Sequence, residues 1–445
     1  MANSSAPQRG VIFWQVGTGD STTVVIDDEH VLQVDLHDMA QADEDGAVVT
    51  AVVDCLVDVL PKRNGRPYLA GFALTHADQD HCRGFADLLS KVTIGELWAT
   101  PRLWREYVDG DTVICEDARA FQKEAERRVE ATRKAVGRDE QPASGDRILV
   151  VGYDTDHDEH AYSDLPDVYL TGPGKTITTL DGDAVGDVFE AFVHAPFAAD
   201  CAAARNETSL AMQITLRDAD GAVGHALLFG DLAYPTIMKI FQYSEDHNRE
   251  ERLAWDVLLA PHHCSKHVMY VDDEFESDIM DAFERHARDN AVIVSSSMPV
   301  PATNQAGENP PHAKAKARYL EIVDGADRFV CTQEWPDEEH PCPVAFGLTT
   351  SGLDLLDPVD LVARADDAAE TRESAAKAAG MADGVVGVLI ALAVVIVARG
   401  FRDRRRRRPV AAPTSGTGLD RAQRAVARAR GTDAAPRQPI GFGAR

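Results

Sequence analysis

A layered α/β fold is what this sequence predicts, on three observations. β-Branched and aromatic runs at residues 11–16 and 22–26 flank a Gly17-Thr18-Gly19-Asp20 turn, which reads as an opening hairpin. Residues 47–60 then carry apolar side chains at helical intervals, as a helix packed on a sheet requires. A third apolar run ends at Leu74 and leads directly into a loop crowded with metal-binding side chains. Strand, helix, strand and loop in that order fit helices layered on a sheet.

The loop is the centre of the chain's organisation. Phe72, Ala73 and Leu74 read as the end of a buried strand, and His76, Asp78, Asp80 and His81 place four ligand-type side chains in six positions just after it. In such a turn alternate residues point the same way and can converge on one or two ions. An acidic surface loop holding two histidines is the bland alternative, and the HxDxDH spacing is more constrained than that alternative requires.

This stretch resembles the HxHxDH signature of metallo-β-lactamase-fold hydrolases, in the variant with Asp in place of the second His. It is most similar to the hydrolase domain of bacterial DNA-uptake competence channels. Further segments carry the resemblance in chain order: the VGxGD-like residues 16–20, a strand at 31–35 ending in Asp35, Asn206 and Ser209 in an NxxS segment, an apolar strand ending in Gly230-Asp231, and His262-His263-Cys264-Ser265 after the strand that begins at Asp256. The resemblance implies a four-layer αββα sandwich over residues 8–350.

It also implies roles. The expected metal ligands are His76 and Asp78 for one ion, Asp80, His81 and His262 for the other, and Asp231 bridging; one of His262 and His263 is expected to ligate, His262 in preference, and the other to face substrate. Asp80, Asp231, His263 and His312 form the expected catalytic set, with His312 either orienting a phosphate or leaving group or standing as a helix-start His without that role. Asn206, Ser209 and Lys266 are expected to line the substrate site, and Asp35 to brace the metal loop by hydrogen bonds without ligating. Where many relatives carry a third-motif His this chain has Asn206 and Ser209; His194 is a replacement ligand or a strand-end His bonded locally. Cys82 and Cys264 also depart from the pattern. Each is either a soft ligand favouring zinc or a small side chain tolerated beside the site. Cys264 stands where the family has Gly, which puts the loop's backbone geometry in question.

Other segments read as scaffold. Strands are expected at 187–194 and 291–297, and a helix near Lys314. Residues 116–137 form a strongly charged helix that reads as a solvated face or lid. Residues 138–164, with Asp156, His157, Asp158, Glu159 and His160, read as a solvated loop.

Charge is divided unevenly. The 445 residues carry a formal charge of -28, and beyond residue 400 twelve Arg against three Asp give +9, leaving about -37 on residues 1–400. So acidic a body repels polyanions at long range, against tight non-specific binding of duplex DNA. Seven scattered cysteines without CxxC spacing point to reduced thiols and a cytosolic body.

The C-terminal part differs in character. Residues 351–383 read as an acidic, Ala-rich linker and 401–445 as a disordered Arg-rich tail able to bind anionic lipid or nucleic acid. Between them, residues 384–398 hold no polar side chain. As a helix this run spans roughly 22 Å of a ~30 Å hydrocarbon core, so 384–400 is expected to be a transmembrane helix with snorkelling Arg399. The positive-inside rule would put the tail in the cytosol and the body outside, whereas the reduced thiols put the body in the cytosol. The expectation is a single-pass protein of the cell membrane with a cytoplasmic body.

Together these readings predict a hydrolase using two divalent ions, Zn2+ or Mn2+, to activate water. The implied substrate is a phosphodiester or other small ester, with single-stranded nucleic acid included. A metal-binding sensor without turnover and a lactamase or lactonase are the alternatives.

Overall fold

The computed structural model describes residues 9–357 apart from 44–47, 110–113, 201–203, 305–308 and 324. The expected membrane helix, the basic tail and most of the linker lie outside the described residues. Among the described residues, no helix is long and apolar enough to cross a membrane.

Two mixed sheets stack face to face. The first runs, edge to edge, Gly352–Leu355, Val344–Thr349, Gly10–Phe13, Thr22–Val25, Val31–Val34, Arg66–Ala73, Thr93–Ala99, Arg147–Val151 and Leu170–Thr171. It is antiparallel up to Val31–Val34 and parallel beyond it. The second runs Phe329–Cys331, Ala287–Ser295, Trp255–Leu259, Val223–Leu228, Ala211–Arg217, Phe189–Ala195 and Thr176–Ile177.

Three apolar layers hold this arrangement. Between the sheets, Phe13, Leu32 and Trp98 meet Phe189, Met212 and Val257. Outside the first sheet lie Leu56, Phe85 and Phe121, and outside the second Ile237, Phe283 and Tyr319. Helix, sheet, sheet, helix is therefore the layer order. Each fully buried large apolar side chain contributes about 1.5–3 kcal/mol to it.

Three expectations need correction. The helix Glu116–Val136 is not a lid: Phe121, Ala125 and Val129, four residues apart, are buried in the outer layer. Arg128, only 1% exposed, donates to the carbonyls of Ile94 (2.8 Å), Gly95 (3.0 Å) and Arg147 (3.0 Å). Its charges populate the opposite face and mask a narrow apolar stripe. Residues 138–164 are not one loop, because Arg147–Val151 joins the first sheet; His160 there bonds Asp154 at 2.8 Å. Finally, Gly352–Leu355 pairs with Val344–Thr349, so the sheet extends into the stretch read as linker.

The topology also positions the chemistry. Asp35, the His76–His81 loop, Asp231 and His262-His263 each follow the C-terminal end of a strand, two in each sheet. Loops at the carboxyl ends of strands are the usual ligand site of α/β sheets. Backbone hydrogen bonds tie these loops together: Asp20 N to Asp80 O (3.0 Å), Leu210 N to Thr75 O (3.1 Å) and His262 N to Gly230 O (2.9 Å).

Candidate metal centre

The geometry begins with Asp35, buried at its strand end. Its Oδ1 accepts from Thr75 N at 2.7 Å, and its Oδ2 from Thr75 Oγ1 at 2.7 Å and His81 Nδ1 at 2.8 Å. The Nδ1 hydrogen of His81 is thereby directed at a carboxylate, leaving the Nε2 lone pair facing inward.

His76 reaches the same state by another route. Its Nδ1 lies 3.1 Å from Thr75 Oγ1 and 3.2 Å from Ser209 Oγ. Both hydroxyls already donate, Thr75 to Asp35 and Ser209 to Asn206 O at 2.7 Å. His76 Nδ1 must therefore be the donor, and its buried Nε2, which has no hydrogen-bond partner, presents a lone pair.

Asp231 lies between two imidazole pairs. Its Oδ1 is 3.1 Å from His81 Nε2 and 3.4 Å from His263 Nε2; its Oδ2 is 3.6 Å from His262 Nε2 and 3.7 Å from His76 Nε2. Gly230 turns the chain into it at φ 54, where an added Cβ would sit 2.9 Å from that of Ser209. Asp78 Oδ2 stands 3.6 Å from His76 Nε2, and Asp80 Oδ2 3.4 Å from His263 Nε2. Arg205 pairs with Asp78 through its guanidinium. Each half of the centre thus holds two imidazoles, one aspartate and one oxygen of Asp231.

His262 and His263 take opposite sides of Asp231 because His262, His263 and Cys264 are all left-handed, at φ 50, 52 and 66. Such angles cost an L-residue roughly 1–2 kcal/mol each. Cys264 therefore adopts the conformation that its Gly-like position demands. It also corrects two expectations: His263, expected to face substrate, is 1% exposed and points into the centre, and His262 groups with His76 and Asp78, not with Asp80 and His81.

Three further expectations change. Ser209 is completely buried and cannot line a substrate site; it holds His76, Asn206 O and the backbone N–H of Asp231 (3.2 Å). His312 accepts from Lys266 N at 3.1 Å through Nδ1, so it props the His-His-Cys turn. The Lys266 ammonium lies 3.6 Å from Asp273, which also binds Lys314 at 2.8 Å. Asn206 Nδ2 does reach Asp231 Oδ2, at 3.4 Å. His194 donates to Arg252 O at 2.9 Å, a local strand-end bond.

Two residues escaped sequence reasoning. Asp20 places Oδ1 3.2 Å from His263 Nδ1, an ion-pair contact without the hydrogen bond that Asp35 makes to His81. It closes the VGxGD-like turn at 16–20, which marks the resemblance without giving the carboxylate a role. His37 is buried with Nδ1 unbonded, and a Cβ on Gly19 would lie 2.1 Å from that atom. Burial pushes the His37 imidazole down to about 4, against the pull of Asp80.

The residues fit divalent cations. Asp20, His81, Asp231 and His263 each offer a ligand atom within 4.8 Å of the others, all buried. Burial alone would lower His263, but Asp231 and Asp20 outweigh it and hold the ring up at about 10. His81 is likewise raised despite burial, by Asp231 and Asp35. The two Nε2 atoms are only 3.3 Å apart, so two ring protons there would point at one another. A shared cation meets the same demand for positive charge without that clash.

No protein-family model and no curated protein matches the chain. Among solved structures it is similar to metallo-β-lactamase MIM-1 from Novosphingobium pentaromativorans (TM-score 0.27, 13% identity, covering 70% of this chain and 87% of that one). A Cronobacter sakazakii metallo-β-lactamase mutated in its HARLDQ motif matches at TM-score 0.24 and 13% identity, covering 56% and 75%. Metallo-β-lactamase SMB-1 bound to 2-mercaptoethanesulfonate matches at 0.25 and 13%, covering 58% and 81%.

Proposed function

We propose that this chain is a metal-dependent phosphodiesterase acting on short phosphodiesters. The observation that carries the hydrolase reading is Asp231, one oxygen toward each of two imidazole pairs whose Nε2 lone pairs face inward. His76, Asp78 and His262 would hold one Zn2+ or Mn2+ ion, and Asp80, His81 and His263 the other. When bound, such a pair supplies Lewis acidity and lowers the pKa of water into the neutral range.

The protein's own groups do the rest. Asp35 fixes the ring of His81 by its Nδ1 atom, and Asp20 sets a carboxylate beside Nδ1 of His263. Substrate and water approach past Asp78, Asp80 and His262, whose side chains are 28, 37 and 20% exposed while the other histidines of the centre are closed. Asp80 accepts a hydrogen bond from the attacking water and orients it.

Charge bears on the substrate class: residues 1–400 carry about -37. That acidity disfavours long duplexes and favours a nucleotide or a short single strand. The proposal includes a single-pass anchor at 384–400 with the body cytoplasmic and the Arg-rich tail on anionic lipid or nucleic acid. Membrane fractionation of the full chain tests the anchor.

The activity test combines metal content by mass spectrometry with turnover of bis-p-nitrophenyl phosphate, nitrocefin and a homoserine lactone, with and without chelator. Chelator-sensitive turnover of the phosphodiester alone is expected. Turnover confined to nitrocefin or the lactone would replace the substrate class, and bound metal without turnover of any ester would make the centre a sensor.

A further inference from the structure

Beside the metal centre, two thiols meet. Neither Cys82 nor Cys115 is in a disulfide. Cys82 follows His81 directly and is fully buried. Cys115 is half-buried and caps the helix Glu116–Val136, its Sγ accepting from Ala118 N at 3.4 Å. The Cys82 and Cys115 sulfurs are 3.4 Å apart. The same two segments are clamped a second time by Asp117, which accepts from Gly84 N at 3.0 Å and Ala86 N at 2.9 Å. The start of the long helix is thus held against the residues that leave the metal loop.

We propose that Cys82 and Cys115 form a reversible disulfide when the protein meets a peroxide, and that this bond controls the metal centre through His81. A disulfide needs an S–S distance of about 2.05 Å, so the sulfurs must close by roughly 1.3 Å. Asp117 fixes Gly84 and Ala86 from one side, and Asp35 fixes the His81 ring from the other. Cys82, between these two clamps, must carry part of the movement, and His81 is its neighbour in the chain.

The chemistry balances with hydrogen peroxide as the oxidant. The Cys115 thiolate attacks one peroxide oxygen, the O–O bond breaks, and hydroxide leaves to collect a proton as water. Cys82 sulfur then attacks the sulfenic acid, the S–S bond forms, the S–O bond breaks, and the second water leaves with the Cys82 proton. Two thiols are oxidised and one peroxide is reduced. Cys115 suits the first step: the contact with Cys82 and the N–H of Ala118 draw its thiol down to about 6, against burial.

The test uses the full chain, loaded with Zn2+, reduced and then exposed to hydrogen peroxide. Peptide mapping without reductant is expected to find Cys82 joined to Cys115, and dithiothreitol to separate them. Oxidation is expected to weaken metal affinity by about tenfold, the scale of disturbing a ligand's supporting shell. Cys115→Ser keeps an N-cap oxygen and should hold its metal through the same exposure. The disulfide is read without reference to catalysis, so it stands even if no ester is hydrolysed; the coupling rests on the metal reading. Cys115 over-oxidised with Cys82 still reduced, either thiol paired to another cysteine, or neither thiol consumed would overturn the disulfide. A disulfide that leaves metal affinity unchanged would overturn the coupling.

Discussion

Replacing Asp231 with Asn probes the centre most directly. The change is nearly isosteric, but it removes a negative charge lying 3.1–3.7 Å from four imidazole nitrogens. Two unit charges 4 Å apart interact by about 4 kcal/mol at an effective dielectric of 20. Losing that attraction for each cation corresponds to nearly three decades in Kd per ion. In the ion-free protein the same change removes the carboxylate that holds the His81 and His263 rings up, so the melting temperature should fall there too. Affinity is measured by competition with a chromophoric chelator, and ion content by mass spectrometry after dialysis. The expected result is loss of at least one ion and a parallel fall in turnover of bis-p-nitrophenyl phosphate. An Asp231→Asn protein that keeps two ions with unchanged affinity would refute the bridging arrangement.

Other outcomes follow from single contacts. Burial raises the Glu96 carboxyl to about 7, only partly offset by the Trp98 N–H bond at 2.6 Å, with Asp181 adding to the rise. The folded state therefore holds a proton that the unfolded state gives up near 4.5, and stability should fall by about 3 kcal/mol as pH rises from 4.5 to beyond 7. Glu96→Gln keeps the acceptor for Trp98 and should flatten the slope in urea unfolding; an unchanged slope would mean that another group titrates. Ser209→Ala leaves the Asp231 N–H without its acceptor and His76 Nδ1 with Thr75 Oγ1 alone, and should lower stability by about 1–3 kcal/mol and weaken metal binding. Equal unfolding midpoints would deny Ser209 that role. Gly19→Ala drives a Cβ to 2.1 Å from His37 Nδ1 and 2.8 Å from Asp80 O, an overpacking of about 1–3 kcal/mol that should also slow turnover by displacing Asp80. Wild-type stability and turnover would show that His37 moves aside freely.

Much of the local structure could be read from the chain. The apolar run before His76 announced a buried strand, and ligand-type residues at its end announced a loop built for ions, because both signals lie within a dozen residues. Gly230-Asp231 and His262-His263 were visible for the same reason. The charge of residues 116–137 misled, since a stripe of Phe121, Ala125 and Val129 is too narrow to stand out among so many ionised neighbours.

Sequence alone determined the donor types, their strand-end positions and the alternation of strands and helices, all of which depend on local spacing. Tertiary structure alone decided which oxygen of Asp231 each imidazole faces, that Ser209 is a buried support, that His312 props a turn, and that Asp35 orients the His81 ring while Asp20 sets its carboxylate beside His263. His81 and His263 are 182 positions apart and meet at 3.3 Å. That meeting requires the two sheets to pack with their strand ends at one edge and three successive residues to accept left-handed angles, and such conditions are satisfied by the packing of the whole domain and not by any one segment.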